Sequence, residues 1–173
     1  MSRTDRGGPV TTRPGPRPRT TAPDIPHQQL DQQPEDPEAR EWLAAAVFAL
    51  PGVVEEPSGI SVPGARALVN QRGEPSCCPT AFLTGREFAH LHPPPDLSLH
   101  LTLPTAEAEA VIEAGWAEWH PWVPTGRLPP TVVMVYAPRT RDEAAIVEEL
   151  VQRSWRFSNC ELGPEQTPEF ESH

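Results

Sequence analysis

The sequence predicts an α+β fold, a single small domain whose mainly antiparallel sheet has helices covering one face, preceded by a disordered N-terminal tail. Three observations carry that expectation. Residues 81–92 and 97–103 are extended runs flanking a proline-rich turn, which read as a β-hairpin. Apolar stripes at helical spacing lie before and after that hairpin. Residues 131–136, TVVMVY, form a short apolar run typical of a strand buried on both faces. Strands with helices before, between and after them fit one domain at a length of 173 residues. There are no internal repeats.

Residues 1–36 are dominated by Pro, Arg, Thr, Gln and Gly, with Val10, Ile25 and Leu30 as their only sizeable aliphatics. Such a block cannot bury enough surface to offset its ordering entropy, so disorder is expected. The folded domain is expected over 37–160, and an acidic C-terminal tail over 161–173. Pro37 suits the first turn of a helix running to Leu50, and Glu38 and Glu41 complement its N-terminus. Trp42, Ala45, Ala46 and Ala49 form its expected stripe, widened by Leu43, Val47 and Leu50. Short extended pieces follow at 53–55, 59–62 and 65–70, then a loop at 73–79.

In the hairpin, alternation puts Arg86, Phe88, His90 and His92 on one face and Glu87, Ala89 and Leu91 on the other. The second strand opposes Ser98, His100 and Thr102 to Leu97, Leu99, Leu101 and Leu103. A one-residue slip would expose the leucines, so the register must put them on the side of Ala89 and Leu91. One such register, with a five-residue loop, places His90 opposite His100 and His92 opposite Ser98. Cross-strand neighbours then sit roughly 5 Å apart. Three imidazoles converge, with Arg86 at the edge. A helix is expected over 105–114, closed by Gly115. The segment 115–126 is a loop or short strand, and Thr140 with Glu143 forms a capping box for the last helix.

Composition bounds the chemistry. The chain has 14 arginines, no lysine and 24 acidic residues, a formal charge of −10. Lysine-dependent chemistry is excluded, and a nucleic-acid partner is not expected of so acidic a chain. No apolar run approaches the ~20 residues that span a bilayer, and the arginines near the N-terminus precede no apolar signal core. A soluble, cytoplasmic protein without a membrane partner is expected. Cys77, Cys78 and Cys160 lack metal-knuckle spacing and form no disulfide framework, so they read as small apolar residues in a reducing compartment.

The histidine face is the candidate site. HxH on a strand aims two imidazoles the same way, and a third from the paired strand completes a triangle at His90, His92 and His100. That arrangement suits a transition metal with an open position, or, without metal, a set of general bases that suppress one another's protonation. The HxH followed by Asp96 also resembles the metal-binding strand of cupins. His100-Leu101-Thr102-Leu103 matches the H-x-T-x strand of two-histidine phosphoesterases, whose second copy is missing. Trp116, Trp119 and Trp122 beside His120 suit either a wall for a flat ligand or a core cluster. Arg139 either clamps an anion at a helix N-terminus or pairs with acids of that helix.

REFAHLH, D-x-SLHL, GWxxxHP and YAPR-x-x-x-EA-x-x-VEE-x-V, in that order, resemble the luciferase domain of fungal luciferases and its bacterial relatives. The matching positions run from Arg86, Glu87, His90 and His92 through Asp96, Ser98, His100, Trp116, His120, Tyr136 and Arg139 to Val151. The resemblance implies an oxygenase that adds O2 to a hydroxylated, enolic substrate without a dedicated organic cofactor. On that reading His90, His92, His100 and His120 are catalytic. Arg86, Glu87, Ser98, Trp116, Tyr136 and Arg139 contact the substrate, a small molecule, with O2 as co-substrate. Two other readings stand beside it: a non-catalytic ligand-binding or interaction module, and a metal-dependent hydrolase or oxygenase with the ion on His90, His92 and His100. Fungal members carry a hydrophobic N-terminal anchor; the sequence has a proline-arginine tail instead, so a soluble protein is expected.

Overall fold

The computed structural model describes residues 9–162. Helix α1 spans Pro37–Phe48, β1 Val53–Pro57, β2 Arg66–Asn70, β3 Glu87–Leu91 and β4 Leu99–Thr102. Helix α2 covers Thr105–Glu113, β5 Ala117–Trp119, β6 Val132–Val135 and α3 Arg141–Ser158. The six strands form one sheet in the order β1-β2-β3-β4-β6-β5, and every pairing is antiparallel. The α+β architecture expected from the pattern is therefore present. Among the described residues no helix is long and apolar enough to cross a membrane.

Helix α3 begins where Thr140 Oγ1 accepts from the Glu143 N–H at 3.2 Å. The Glu143 carboxylate reaches back to the Arg139 N–H, one residue further than a capping box requires. Its buried stripe, Ala144, Val147, Leu150, Val151, Ser154 and Phe157, packs on β3, β4 and α1. Asp36 caps α1 by accepting from the Glu38 N–H, and Pro37 follows directly. Its inward residues are Ala39, Leu43, Ala44 and Val47, while Ala45 and Ala49 are exposed. The expected stripe was thus rotated: the branched side chains Leu43 and Val47, which gain more from leaving water, take the inward positions.

The hairpin register is as expected, with His90 opposite His100, Leu91 opposite Leu99, and the His92 N–H bonded to the Ser98 carbonyl. The helix-facing side carries Ala89, Leu91, Leu99, Leu101, Val133 and Val135 in the apolar core. Below Ala89 the simple alternation fails. Leu68 pairs with Ala89 but Val69 pairs with Glu87, so Phe88 is an extra residue in β3. This bulge reverses the parity. Phe88 enters the core and Glu87 turns to the histidine side.

The expected disorder does not describe residues 9–36, and the folded unit begins before residue 37. This segment has a bridge between Thr20 and Gln29 and little other regular structure, yet it is docked. The Arg13 N–H donates to Ala114 O, and Arg17 donates to Ala117 O on edge strand β5 and to Ile112 O. Gln29 accepts from the Ala137 N–H at 2.8 Å, and Arg139 donates to Pro14 O. Arg13, His27 and Gln29 are buried. The segment holds by satisfying carbonyls that a helix end and a sheet edge leave open, not by apolar burial, so its poor hydrophobicity misleads. The expected C-terminal tail lies outside the described residues from 163 onward.

Gln29→Ala strands the buried Ala137 N–H and should lower stability by about 1–3 kcal/mol in urea unfolding. Arg19→Ala, which removes a solvent-exposed pair with Asp31, should cost less than about 1 kcal/mol. Equal losses in both variants would mean that the segment is not docked in solution.

Candidate functional site

The site is built on one row across the sheet. Ala67, His90, His100, Met134 and Glu118 face one another in register across β2, β3, β4, β6 and β5. Cross-strand pairing brings their side chains together on the face away from the helices. His92 joins from the end of β3. His120 follows β5, where its N–H bonds Val132 O. His27 arrives from the docked N-terminal segment.

The imidazoles form a continuous network. His90 Nε2 lies 3.2 Å, and His92 Nε2 2.9 Å, from His100 Nδ1. His100 Nε2 lies 3.0 Å from His27 Nδ1. His120 contacts His100 with tilted rings and His27 edge-on, with ring centroids 5.2 and 5.4 Å away. Behind the rings stand carboxylates. Glu87 meets His90 Nδ1 at 2.8 Å, and Asp96 lies 3.0 Å from His92 Nδ1, which is also 2.9 Å from Ser98 Oγ. Glu118 meets His27 Nε2 at 2.6 Å and accepts from the Tyr136 hydroxyl at 3.1 Å.

Burial and mutual proximity set the protonation states. Full burial, then the neighbouring imidazoles, push His100 well below the ordinary histidine range. His90 is lowered by burial against the opposing pull of Glu87. His120 falls to about 4 through burial and the charges of His27 and His90. The Trp122 N–H donates to His120 Nδ1, so neutral His120 carries its proton on Nε2. Burial alone would raise Glu87, Asp96 and Glu118, but their histidine and hydroxyl partners hold all three below the carboxylate range. Burial pushes Tyr136 up to about 12 against the Arg17 guanidinium.

His27, His90, His92, His100 and His120 line a cavity of about 460 Å3. Ile25, Ile60, Leu83, Trp122 and Leu128 supply apolar walls. A polar floor under apolar walls is the usual form of a small-molecule site.

Several expected contacts fall elsewhere. Arg86 is exposed and donates to Gly73 O, because the bulge at Phe88 turns the strand's lower end. Trp116 is buried in the apolar core, and its indole N–H donates to Thr11 O. Trp122 takes the place at the cavity that Trp116 was expected to hold. Arg139 is engaged bidentately by Glu143, the second of its two anticipated roles. Ser98 and Tyr136 stand behind the imidazoles as hydrogen-bond partners and are not among the cavity's lining residues. His27 and Glu118 were missed. Glu118 had a signal, since E-x-H at 118–120 shares a strand face as H-x-H does. His27 had none, because nothing local in a proline-rich block says where it docks.

Among the described residues, three trios of donor atoms lie within 4.8 Å of one another: His90, His92 and His100; His27, His100 and His120; Cys77, Cys78 and Cys160. The last revises the reading of the cysteines from their spacing, since chain folding brings Cys160 to the adjacent pair.

Residues 85–154 match the family described as Luciferase domain. That stretch of the chain, with the relatives that follow, is similar to the luciferase-domain family. It is 34% identical over 117 residues to proteins named luciferase from Armillaria gallica and Armillaria mellea, and 33% to one from Neonothopanus nambi. Each match covers 66% of this chain and 38% of the relative, so the chain spans well under half the length of the curated luciferases it matches. These relatives are fungal, so they give no support to a bacterial source. No solved structure matches the chain. Within the luciferase domain, His90, His92, His100 and His120 fall inside the family match, whereas His27 comes from outside it.

The neutral histidines tie stability to pH. His120, at about 4 folded and 6.5 by its ordinary value, binds its proton more readily in the unfolded chain. Stability in chelator-treated protein should therefore rise from pH 4 to pH 6.5 and be lost on acidification through that window. His120→Gln should flatten that rise in denaturant titrations. An unchanged slope would show that His120 is not held neutral.

Proposed function

We propose that the domain binds a flat, enolic small molecule in the histidine cavity and promotes its deprotonation and reaction with O2. The observation that carries this reading is the convergence of five neighbouring imidazoles, backed by carboxylates, on the floor of one apolar-walled cavity. The fungal relatives named luciferase support the choice of reaction class. Their shared stretch is only part of those proteins, so light emission is not carried over.

In this reading a neutral imidazole accepts the enolic proton, and the carboxylate behind it stabilises the imidazolium. The resulting enolate is electron-rich. Its carbon donates an electron pair to O2, forming a C–O bond and a peroxide anion on the outer oxygen. His120 presents its Nε2–H as a donor able to stabilise that charge, since its Nδ1 is already occupied by the Trp122 N–H. The proton held on the imidazolium then returns to the peroxide. Trp122 provides an aromatic wall for a planar ring. The arginines expected to clamp an anion are engaged elsewhere, so recognition of the acidic group falls to the imidazoles.

Oxygen uptake with hydroxypyrone-type substrates tests this directly. His90→Ala and His100→Ala should lower the rate by about 100-fold or more. Equal background rates in wild type and both variants would overturn the oxygenase reading. Saturable substrate binding with no oxygen uptake would make the domain a binding module instead.

A further inference from the structure

We infer that His90, His92 and His100 form a binding site for one first-row divalent transition-metal ion. The inference deepens the reading above and rests on it for the ion's chemical role, whereas binding itself is measurable without turnover.

The first argument is geometric. His100 Nδ1 lies 3.2 Å from His90 Nε2 and 2.9 Å from His92 Nε2. Metal–nitrogen bonds of roughly 2.0–2.1 Å at tetrahedral angles place ligand nitrogens about 3.3 Å apart. The two spacings at His100 are close to that, and all three donor atoms lie within 4.8 Å of one another. All three residues also line the cavity, so a fourth coordination position can open toward it.

Proton placement is the second argument. The His90 Nδ1–H is directed to Glu87, and the His92 Nδ1–H to Ser98 Oγ, whose hydroxyl donates in turn to Asp96. Both Nε2 atoms therefore present lone pairs inward when these rings are neutral. His100 completes the set when its Nε2–H donates to His27, whose own Nε2–H donates to Glu118. Then three lone pairs converge with no proton between them. Each ring has a carboxylate behind it, directly or through Ser98 or His27, and ligating histidines are oriented in this manner. Placing a proton on His100 Nδ1 instead satisfies one inward contact and leaves the other as facing lone pairs. It also requires His27 to donate from both nitrogens as a cation.

The third argument is charge. Glu87 and Asp96 are almost fully buried, and Glu118 is three-quarters buried. Their ion-pair partners are histidines in every case. Buried carboxylates paired only with histidines need a cationic charge among those rings, and a divalent metal ion supplies one. Neutral imidazoles with open access suit zinc, cobalt, nickel or iron(II) better than calcium or magnesium, which favour oxygen donors.

Titrating chelator-treated full-length protein with Co2+, followed by Zn2+ competition, tests the site. One Co2+ per chain should bind with a visible ligand-field spectrum lacking thiolate charge transfer, and Zn2+ should displace it. His92→Ala and His100→Ala should weaken binding at least about 100-fold. Glu87→Gln, which keeps the side-chain shape, should weaken it by about 10–100-fold. Circular dichroism establishes that each variant is folded, and Glu87→Gln carries the test if a histidine variant is not. Three results would overturn the inference: no saturation near one ion per chain, affinity unmoved by His92→Ala and Glu87→Gln, or binding lost in Cys160→Ser with thiolate charge transfer. Co2+ binding as described without oxygen uptake leaves the inference standing and overturns the oxygenase reading. Undiminished oxygen uptake in protein that binds no Co2+ overturns this inference alone.

Discussion

A buried imidazole needs partners for both ring nitrogens, and the rest of this domain is arranged around that need at His100. The ring is buried at the cavity floor, with His90 and His92 at Nδ1 and His27 at Nε2. Each neighbour passes the demand outward until it ends on a carboxylate: Glu87, Asp96 or Glu118. Leaving one link unpaired in such an interior costs on the order of 1–3 kcal/mol. Strand register, the bulge at Phe88 and the docked N-terminal segment all serve this network. The bulge turns Glu87 toward His90 while sending Phe88 into the core.

The N-terminal segment shows how a polar sequence can dock without an apolar face. Its arginines and Gln29 complete hydrogen bonds that the domain cannot complete alone, at the end of α2, at the outer edge of β5 and at the Ala137 N–H. In return His27 closes the histidine row and residues 25–28 wall the cavity. Stability and site assembly are thereby coupled. The element that protects an open sheet edge also brings the fifth imidazole, and it lies outside the stretch shared with the luciferase-domain family.

The cavity combines apolar walls with rings whose ability to gain protons is suppressed. Low polarity strengthens every charge interaction inside it, which suits chemistry that forms an anion from a neutral substrate. It also makes the three surrounding carboxylates costly unless a cation balances them. The proposed proton transfer and the inferred cation binding both draw on the same grouping of buried acids behind imidazoles.

Much of this was legible along the chain. Period-two alternation and the leucines of 97–103 set the hairpin register, because a one-residue slip would expose them, and with it the meeting of His90, His92 and His100. The ordered motifs from Arg86 to Val151 carried the family. Local rules failed where parity or distance intervened. An extra residue at Phe88 reversed the faces assigned to Glu87 and Phe88, and no alternation rule foresees a bulge. Trp116 was expected at the substrate, but it packs in the core and Trp122 stands at the cavity instead. His27 meets His100 across 73 residues of chain, and Cys160 reaches Cys77 and Cys78 only after α3 has packed. The sequence by itself determined the architecture and three-quarters of the histidine set inside the matched stretch, because those depend on spacing within one hairpin. Only the tertiary structure decided that His120 and His27 join it, and which acids stand behind the rings, because those contacts depend on where distant segments dock.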